Sequence, residues 1–207
     1  MAATERPRLV EVPRWDGGAH ARARREVVET ARAMSAKGLV VGSVGNVSAR
    51  VGEDVAITPT SMPYETMGDD DIVIVRADGA VDGEHAASRE LPMHLAIYAA
   101  RPDAEAVVHT HSVHATAWSF LGEPLEPALE EAAYYDVGPV ATSAPARAGS
   151  PELAERAVAA LGASRAALLG RHGVVAIGAT PGEALTIAEV VERQAQVAWL
   201  LRSGARR

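Results

Sequence analysis

The amino-acid sequence predicts a single α/β domain. Short apolar runs of strand length alternate along the chain with segments in which apolar residues recur at helical spacing. With 207 residues, of which 48% are hydrophobic, the chain is long and apolar enough to bury one full core. No internal repeat or low-complexity segment divides it. We therefore predict one domain over residues 21–207, preceded by an irregular leader over residues 1–20 that contains two prolines and a Gly-Gly pair.

The domain is predicted to begin with a helix over residues 21–37, followed by a glycine-rich stretch. The helix carries apolar residues at helical spacing and then a glycine stop signal, namely Val27, Val28, Ala31, Met34 and Gly38. Beyond it, Gly42 and Gly45 let backbone N–H groups approach a ligand, and Asn46 and Ser48 add side-chain donors. This stretch is either an anion-binding loop or a plain Gly-Asn turn between two short strands.

Two short strands and their turns come next. The apolar runs 55–58 and 72–75 have strand length, and a rigid turn with two prolines and several hydroxyls occupies residues 59–64. Asp69–Asp71 is predicted to be a helix start or a turn that faces solvent. Asp78-Gly79 then predicts a hairpin turn into a further short strand.

Residues 88–100 carry the signals of a second helix with a carboxylate at its start. Ser88 is a candidate cap, and Pro92 stands where the first turn of a helix tolerates proline. Glu90 and His94 are four residues apart and share one face of such a helix. The helix dipole holds a carboxylate at this position in its ionised form, which suits a metal ligand or a proton acceptor. The alternative is an ordinary acidic residue at a helix N-terminus.

The second half of the chain continues the alternation of helices and strands. Its predicted helices cover residues 114–120, 123–135, 151–161 and 180–201, and its predicted strands cover residues 106–111, 166–170 and 174–178. The segment 136–149 is expected to be extended and rich in turns.

Histidines end one of these apolar runs. His109 and His111 are two residues apart, so on a strand both imidazoles project from the same face. Imidazole ligands without cysteine favour zinc or a similar divalent ion, although two histidines of this spacing are also compatible with ordinary hydrogen bonding. His172 follows a second apolar run and is a candidate third ligand. Three imidazoles leave an open fourth position on zinc, as a catalytic site requires.

Composition and charge exclude several classes of function. A net charge of −7 and a pI of about 5.5 give no field that would attract nucleic acid or an anionic membrane. The chain contains no cysteine, which excludes disulfides and thiol catalysis. The sequence has neither an N-terminal apolar segment of signal-peptide type nor an apolar run of about 18 residues that would span a bilayer. We therefore expect a cytoplasmic protein.

The order of these segments resembles the class II aldolase/adducin-head family. The matching segments are Gly45-Asn46-Val47-Ser48, Ile57-Thr58-Pro59-Thr60, Glu90 with His94 and Tyr98, Arg101-Pro102-Asp103, His109 with His111 and His114, and His172-Gly173. The resemblance covers residues 24–200 in one register. It implies a three-layer α/β/α fold around a central, mostly antiparallel sheet. It also implies a zinc ion on three histidines and a homotetramer with its sites between subunits.

The resemblance also assigns roles to individual residues. His109, His111 and His172 would hold the zinc, and Glu90 would be the catalytic acid/base. Glu130 stands where the family's aldolases have a catalytic tyrosine, so it is either a second proton-transfer group or a solvated helix acid. Tyr134 fills that role instead if a gap falls before it. The residues expected to bind phosphate are Gly45, Asn46, Thr60, Ser61, Ser88 and Arg89.

Two residues of that phosphate pocket depart from the aldolase pattern. Arg89 replaces the second of two serines before the catalytic glutamate, and Ser61 replaces a glycine. The metal ligands and the acid/base are kept.

The first functional expectation is therefore a zinc-dependent lyase of carbohydrate metabolism. It would cleave a sugar phosphate resembling fuculose 1-phosphate by retro-aldol chemistry, giving dihydroxyacetone phosphate and an aldehyde. The alternatives are dehydration of a methylthioribulose phosphate, epimerisation of a ketopentose phosphate, or decarboxylation on the same scaffold. A non-catalytic interaction module like the adducin head is less favoured, because that module lacks the metal set.

Overall fold

The computed structural model describes residues 17–204. Its helices are α1 (Gly17–Ala36), α2 (Leu91–Ala100), α3 (Val113–Ser119), α4 (Glu130–Tyr134), α5 (Pro151–Leu161) and α6 (Pro181–Gly204). Its strands are β1 (Asn46–Val51), β2 (Asp54–Ile57), β3 (Val73–Val75), β4 (Val81–Asp82), β5 (Ala106–Thr110), β6 (Ala166–Leu169) and β7 (Gly173–Gly178). The segment Asp69–Asp71 forms a short 3₁₀ turn, as one of the two sequence interpretations predicted.

The seven strands form one sheet in the order β4-β3-β2-β1-β5-β7-β6. Every neighbouring pair is antiparallel. Helices α1, α3 and α6 pack on one face, and α2 and α5 pack on the other. This arrangement confirms the predicted three-layer α/β/α fold with a central antiparallel sheet.

The two cores follow from the period-2 alternation of strand side chains. In β7, for example, Val174 and Ala176 pack towards α1 and α6, whereas Val175 and Ile177 pack towards α2 and α5. Both faces of the central strands are therefore buried. This explains why these strands appear in the sequence as continuous apolar runs.

Local sequence signals predicted the bounds of helices α5 and α6 closely. Helix α5 covers residues 151–161 as predicted, and the Ser150 hydroxyl caps it by accepting a hydrogen bond from the Leu153 N–H at 3.1 Å. Helix α6 extends three residues beyond the predicted end, to Gly204.

The boundaries of two helices differ from the prediction. Helix α1 begins at Gly17, so residues 17–20 of the predicted irregular leader are helical, and residues 1–16 lie outside the described residues. Helix α2 begins at Leu91, and Glu90 is its N-cap. The predicted cap, Ser88, instead accepts a hydrogen bond from the Glu90 backbone N–H at 3.3 Å. It therefore orders the residue that starts the helix.

The predicted helix over residues 123–135 was wrong in its first half. Only Glu130–Tyr134 is helical. Upstream, the backbone of Leu125 exchanges two hydrogen bonds of 2.9 Å with Val140, and this pairing holds the segment extended. Prolines at 124 and 127 also disfavour a helix there.

The glycine-rich stretch is not a hairpin, because no strand precedes β1 in it. Residues 39–45 form turns that lead into β1, and Gly45 has a positive φ of 78°. A Cβ at Gly45 would lie 2.6 Å from the His109 carbonyl oxygen, so only glycine fits there. The loop is thereby packed directly against the strand that carries the histidines.

Candidate metal centre and active site

Three histidines converge at one end of the sheet. His109 lies in β5, His111 follows one residue beyond the end of that strand, and His172 lies in the turn between β6 and β7. Strand β7 pairs directly with β5, which brings that turn next to His109. The three ring centroids are 4.8–4.9 Å apart, and the Nε2 atoms of His109 and His111 are 3.0 Å apart.

Backbone contacts fix the orientation of His109. Its Nδ1–H donates to the Val174 carbonyl oxygen at 2.8 Å, so Nε2 faces the other two histidines. The turn that carries His172 is equally constrained. A Cβ at Gly173 would lie 2.1 Å from the Thr110 carbonyl oxygen and 3.2 Å from the His109 ring. Glycine at this position lets the turn approach the ring closely.

The donor set fits a divalent metal ion. One nitrogen from each histidine lies within 4.8 Å of the others. Nitrogens that share a tetrahedral zinc at about 2.0–2.1 Å are roughly 3.3 Å apart, close to the spacing of the nearest pair. Burial and the charge of His109 lower the pKa of His111 to about 3 and that of His172 to about 4. Both rings therefore offer neutral nitrogen lone pairs.

Glu90 lies directly beside this group and is buried. Its Oε2 is 3.1 Å from His109 Nε2 and accepts a hydrogen bond from Asn46 Nδ2 at 2.9 Å. Its Oε1 is 3.4 Å from His172 Nε2 and has no hydrogen-bond partner among the described residues. Burial alone raises the pKa of Glu90, but the charge of His109 and the two hydrogen bonds bring that pKa well below its usual range. The carboxylate is therefore ionised, and its Oε1 is the oxygen that no hydrogen bond from the described residues occupies.

A pocket of about 140 Å³ opens above Glu90, His111 and His172. All six residues predicted to bind phosphate line it, namely Gly45, Asn46, Thr60, Ser61, Ser88 and Arg89. Tyr64 supports the loop from below, because its hydroxyl donates to the Gly45 carbonyl oxygen at 2.6 Å. The pocket therefore combines hydroxyl, amide and guanidinium donors with two of the three histidines at its floor.

The pocket of one chain does not include Glu130. This residue is exposed in the first turn of α4 and is absent from the pocket lining. Tyr134, at the other end of α4, is 80% exposed. Neither side chain takes part in the site that the described residues of a single chain assemble.

Several pocket residues were not predicted from the sequence. Ser43, Val44, Pro59 and Ala148 also line the pocket. Ala148 comes from the extended segment before α5, and no local signal marks it. His94 lies just beneath the pocket, fully buried and hydrogen-bonded to Asn46 and Ser48. The sequence signals for its position were its spacing of four residues from Glu90 and its place in a segment that resembles the family.

None of the helices within residues 17–204 is long and apolar enough to cross a membrane.

Comparisons with known proteins identify the family of the chain. The family model described as "Class II Aldolase and Adducin N-terminal domain" matches residues 25–199. The chain is 39% identical over 174 residues to an L-fuculose phosphate aldolase of Escherichia coli O6:H1, covering 84% of this chain and 80% of that protein. It is 34% identical over 176 residues to a 5-methylthioribulose-1-phosphate/5-deoxyribulose-1-phosphate aldolase of Rhodospirillum rubrum, covering 85% and 80% of the two proteins.

A solved structure of an L-fuculose 1-phosphate aldolase is similar over most of its length. It superposes with a TM-score of 0.82 at 31% identity, covering 88% of this chain and 87% of that one.

Proposed function

The chain belongs to the class II aldolase and adducin N-terminal domain family, and from that premise we propose that it is a zinc-dependent sugar-phosphate aldolase. The substrate is a ketose 1-phosphate resembling L-fuculose 1-phosphate, and the products are dihydroxyacetone phosphate and an aldehyde. One observation carries this proposal. His111, His172 and an ionised Glu90 form the floor of a pocket, His109 lies directly beside Glu90, and the pocket wall is lined with anion-binding donors.

The proposed metal ligands are His109, His111 and His172. A divalent ion bound there, best matched by zinc, supplies Lewis-acid stabilisation of negative charge on the oxygens of a bound ketose. The protein itself holds the His109 ring through the Val174 carbonyl, and Gly173 lets the turn that carries His172 approach that ring closely.

Glu90 is the proposed acid/base. In the cleavage direction the hydroxyl on C4 of the ketose loses its proton, and the bond between C3 and C4 breaks. The electron pair of that bond stays with the three-carbon fragment, and C4 leaves as the carbonyl carbon of the aldehyde. Glu90 takes up one proton from solvent, in exchange for the proton that the C4 hydroxyl has released, and donates it to C3. The oxygen that carries this proton is Oε1, because Oε2 is already occupied by Asn46 and lies next to His109.

The phosphate of the substrate is proposed to bind at the wall formed by Gly45, Asn46, Thr60, Ser61 and Ser88. Ser61 has a positive φ of 59°, and its loop lines the pocket together with the turn of Gly45. Hydroxyl and amide donors of this kind bind a phosphate without adding net charge to the pocket.

Arg89 adds a cation to that wall, and we expect it to bind the anionic end of the substrate. Replacing Arg89 by serine should raise KM by about tenfold with little change in kcat, since a charge-assisted hydrogen bond made equally in ground and transition states is lost. Steady-state kinetics on the zinc-loaded protein measure both constants. The KM of Arg89→Lys, which keeps the charge, should lie between those of the wild type and Arg89→Ser.

Arg22→Ser is a matched control, because Arg22 is an exposed arginine on α1 outside the pocket. An unchanged KM in Arg89→Ser, combined with weaker assembly, would assign Arg89 to a subunit interface instead.

We propose that the protein is a homotetramer in which α4 of one subunit completes the pocket of the next. Glu130, or Tyr134, would then accept the C4 hydroxyl proton from across the interface. Support comes from apolar side chains exposed on one chain. Val113 is 68% exposed, Phe120 60% and Tyr134 80%. These side chains are free on one chain to be covered by a neighbouring subunit.

Light scattering should therefore give a mass near four times the 21.6 kDa of one chain. Phe120→Asp should weaken the assembly and lower turnover together, while the zinc content of each chain stays unchanged. A fully active monomer of 21.6 kDa would contradict this proposal.

A second candidate substrate is favoured by one of the relatives. The Rhodospirillum rubrum protein acts, by its name, on 5-methylthioribulose 1-phosphate and 5-deoxyribulose 1-phosphate. The same retro-aldol step on these pentuloses would also give dihydroxyacetone phosphate, with a different aldehyde. Because all these substrates are phosphorylated and charged, we propose a cytoplasmic location.

A substrate panel tests the proposed function. The zinc-loaded protein is incubated with L-fuculose 1-phosphate, 5-deoxyribulose 1-phosphate and 5-methylthioribulose 1-phosphate. Release of dihydroxyacetone phosphate is followed with a coupled dehydrogenase. Cleavage of at least one of them is expected. Substrate loss without dihydroxyacetone phosphate would instead identify the dehydratase, epimerase or decarboxylase alternative.

A further inference from the structure

Two rows of polar side chains face each other beneath the pocket, one on β1 and one on α2. Asn46 and Ser48 are two residues apart on the strand and project from the same face. Glu90, His94 and Tyr98 are four residues apart at the start of and within α2, so they share one side of the helix. Two strand residues span about 6.6–6.8 Å and four helical residues about 6.0 Å, so the two rows stay in step.

An unbroken series of hydrogen bonds joins the strand side chains to the helix side chains. We call the five residues together, two from β1 and three from α2 and its N-cap, the polar row. The Tyr98 hydroxyl lies 2.7 Å from Ser48 Oγ, which lies 2.7 Å from His94 Nδ1. His94 Nε2 lies 2.5 Å from Asn46 Oδ1, and Asn46 Nδ2 lies 2.9 Å from Glu90 Oε2. All five residues are buried.

The donors and acceptors of the polar row can be assigned from its carboxylate end. An ionised carboxylate only accepts, so Asn46 must turn its Nδ2 towards Glu90. Its Oδ1 then accepts a hydrogen bond, which makes His94 Nε2 a protonated donor. Burial, with a smaller contribution from His109, lowers the pKa of His94 to about 3 and keeps the ring neutral. His94 Nδ1 therefore accepts from the Ser48 hydroxyl.

The far end of the polar row carries a cation that favours the same direction. Arg50 Cζ lies 4.7 Å from the centroid of the Tyr98 ring, and Arg50 also donates to the Tyr98 carbonyl oxygen at 2.9 Å. Ser48 is left to accept from the Tyr98 hydroxyl. Every donor in the row consequently points away from the guanidinium and towards the carboxylate of Glu90. Hydrogen bonds aligned in this way polarise and strengthen one another.

We propose that His94 is a positioning residue, which acts through the Asn46 amide to hold the catalytic carboxylate of Glu90 in place, with Ser48 and Tyr98 fixing its tautomer. This inference rests on the proposed function, because it assumes that Glu90 is the acid/base. The row secures Glu90 Oε2 and leaves Oε1 as the oxygen that can meet the substrate. The Asn46 amide also lines the pocket, so its orientation decides whether its N–H donor or its carbonyl oxygen faces the phosphate.

Two variants at one position separate positioning from mere packing. The amide of His94→Gln reaches the place of Nε2 and still donates to Asn46, whereas the shorter His94→Asn reaches only the place of Nδ1. We expect His94→Asn to lower kcat by about 10–10²-fold, the scale expected for a misplaced catalytic group, and His94→Gln to retain most of it. The zinc content should be normal in both, because the three metal histidines are untouched.

Nuclear magnetic resonance tests the same inference without using activity. In the zinc-loaded wild type, the ring of His94 should be the neutral tautomer with its proton on Nε2, identified by the signal that disappears in His94→Gln. The side-chain amide signals of Asn46 should stay near their wild-type positions in His94→Gln and move in His94→Asn. If both variants fail to fold, Tyr98→Phe serves instead and should lower kcat by about fivefold, since it removes one hydrogen bond of the row.

A failure of the positioning role of His94 can be told apart from a failure of the proposed function. Equal kcat values in zinc-loaded His94→Gln and His94→Asn would overturn the positioning role, as would a His94 proton on Nδ1. If the wild type cleaves no sugar phosphate, the proposed function fails instead. The tautomer and the Asn46 amide signals would still show whether His94 holds Glu90.

Discussion

His111→Ala is expected to lose most of its bound metal and, with it, nearly all turnover. His111 supplies one of three convergent imidazoles, and its low pKa keeps it neutral and ready to bind. Removing a mere hydrogen-bond partner of a metal ligand already costs about 10–100-fold in metal affinity, so loss of a ligand should cost more. Zinc analysis after dialysis and calorimetric titration of the metal-free protein measure the effect.

His85→Ala is the matched control for this variant. His85 is partly exposed and pairs with Asp71 at 2.9 Å, outside the pocket lining. Its replacement should leave zinc content and kcat unchanged. Normal zinc content in His111→Ala would show that the metal does not use this ring, and the assignment of the ligand set would then be wrong.

The fold could be predicted largely because its elements carry their own local signals. Helix α5 is bounded by Ser150 and Gly162, and its predicted range agrees with the structure. Strand β7 was predicted from a run of apolar residues buried on both faces. In such segments the hydrophobic period and the end residues agree with the tertiary structure.

Local signals failed where a distant segment decides the conformation. Glu123–Leu129 has an acidic composition compatible with a helix, but pairing of Leu125 with Val140 keeps it extended. Ala148 was not predicted for the same reason, because a distant segment decides its position. It lines the pocket because its segment packs against the backbone of Arg89. A Cβ at Gly149 would lie 2.7 Å from the Arg89 carbonyl oxygen, so this contact requires glycine.

The candidate site was predictable to the extent that it is built on regular elements. His109 and Asn46 occupy paired positions of β5 and β1, and Glu90 is fixed at the start of α2. Glu130 is the opposite case, because it lies on a short exposed helix whose surroundings one chain does not define. Sequence spacing alone gives no distance between such a residue and the pocket.

Glu90→Gln should lower kcat by about 10²-fold or more, the range expected when a general acid/base is lost. Glutamine has nearly the shape of glutamate, and its carbonyl oxygen can still accept the hydrogen bond from Asn46. Zinc content should stay near normal, because the three histidines remain. Glu152→Gln is the control, since Glu152 is an exposed glutamate in the first turn of α5. Both variants are compared at equal zinc occupancy.

A partial reaction shows whether Glu90 moves the proton itself. Run in reverse, an aldolase removes a proton from C3 of dihydroxyacetone phosphate before any aldehyde binds, so the enzyme should exchange that hydrogen with deuterium oxide. This exchange needs the base that removes the C3 proton. It does not need the group that accepts the C4 hydroxyl proton, because no C4 is present. Glu90→Gln should lose the exchange, whereas Glu130→Gln and Glu152→Gln should keep it. Exchange at the wild-type rate in Glu90→Gln would assign the proton transfer to another residue and leave Glu90 as a structural neighbour of His109.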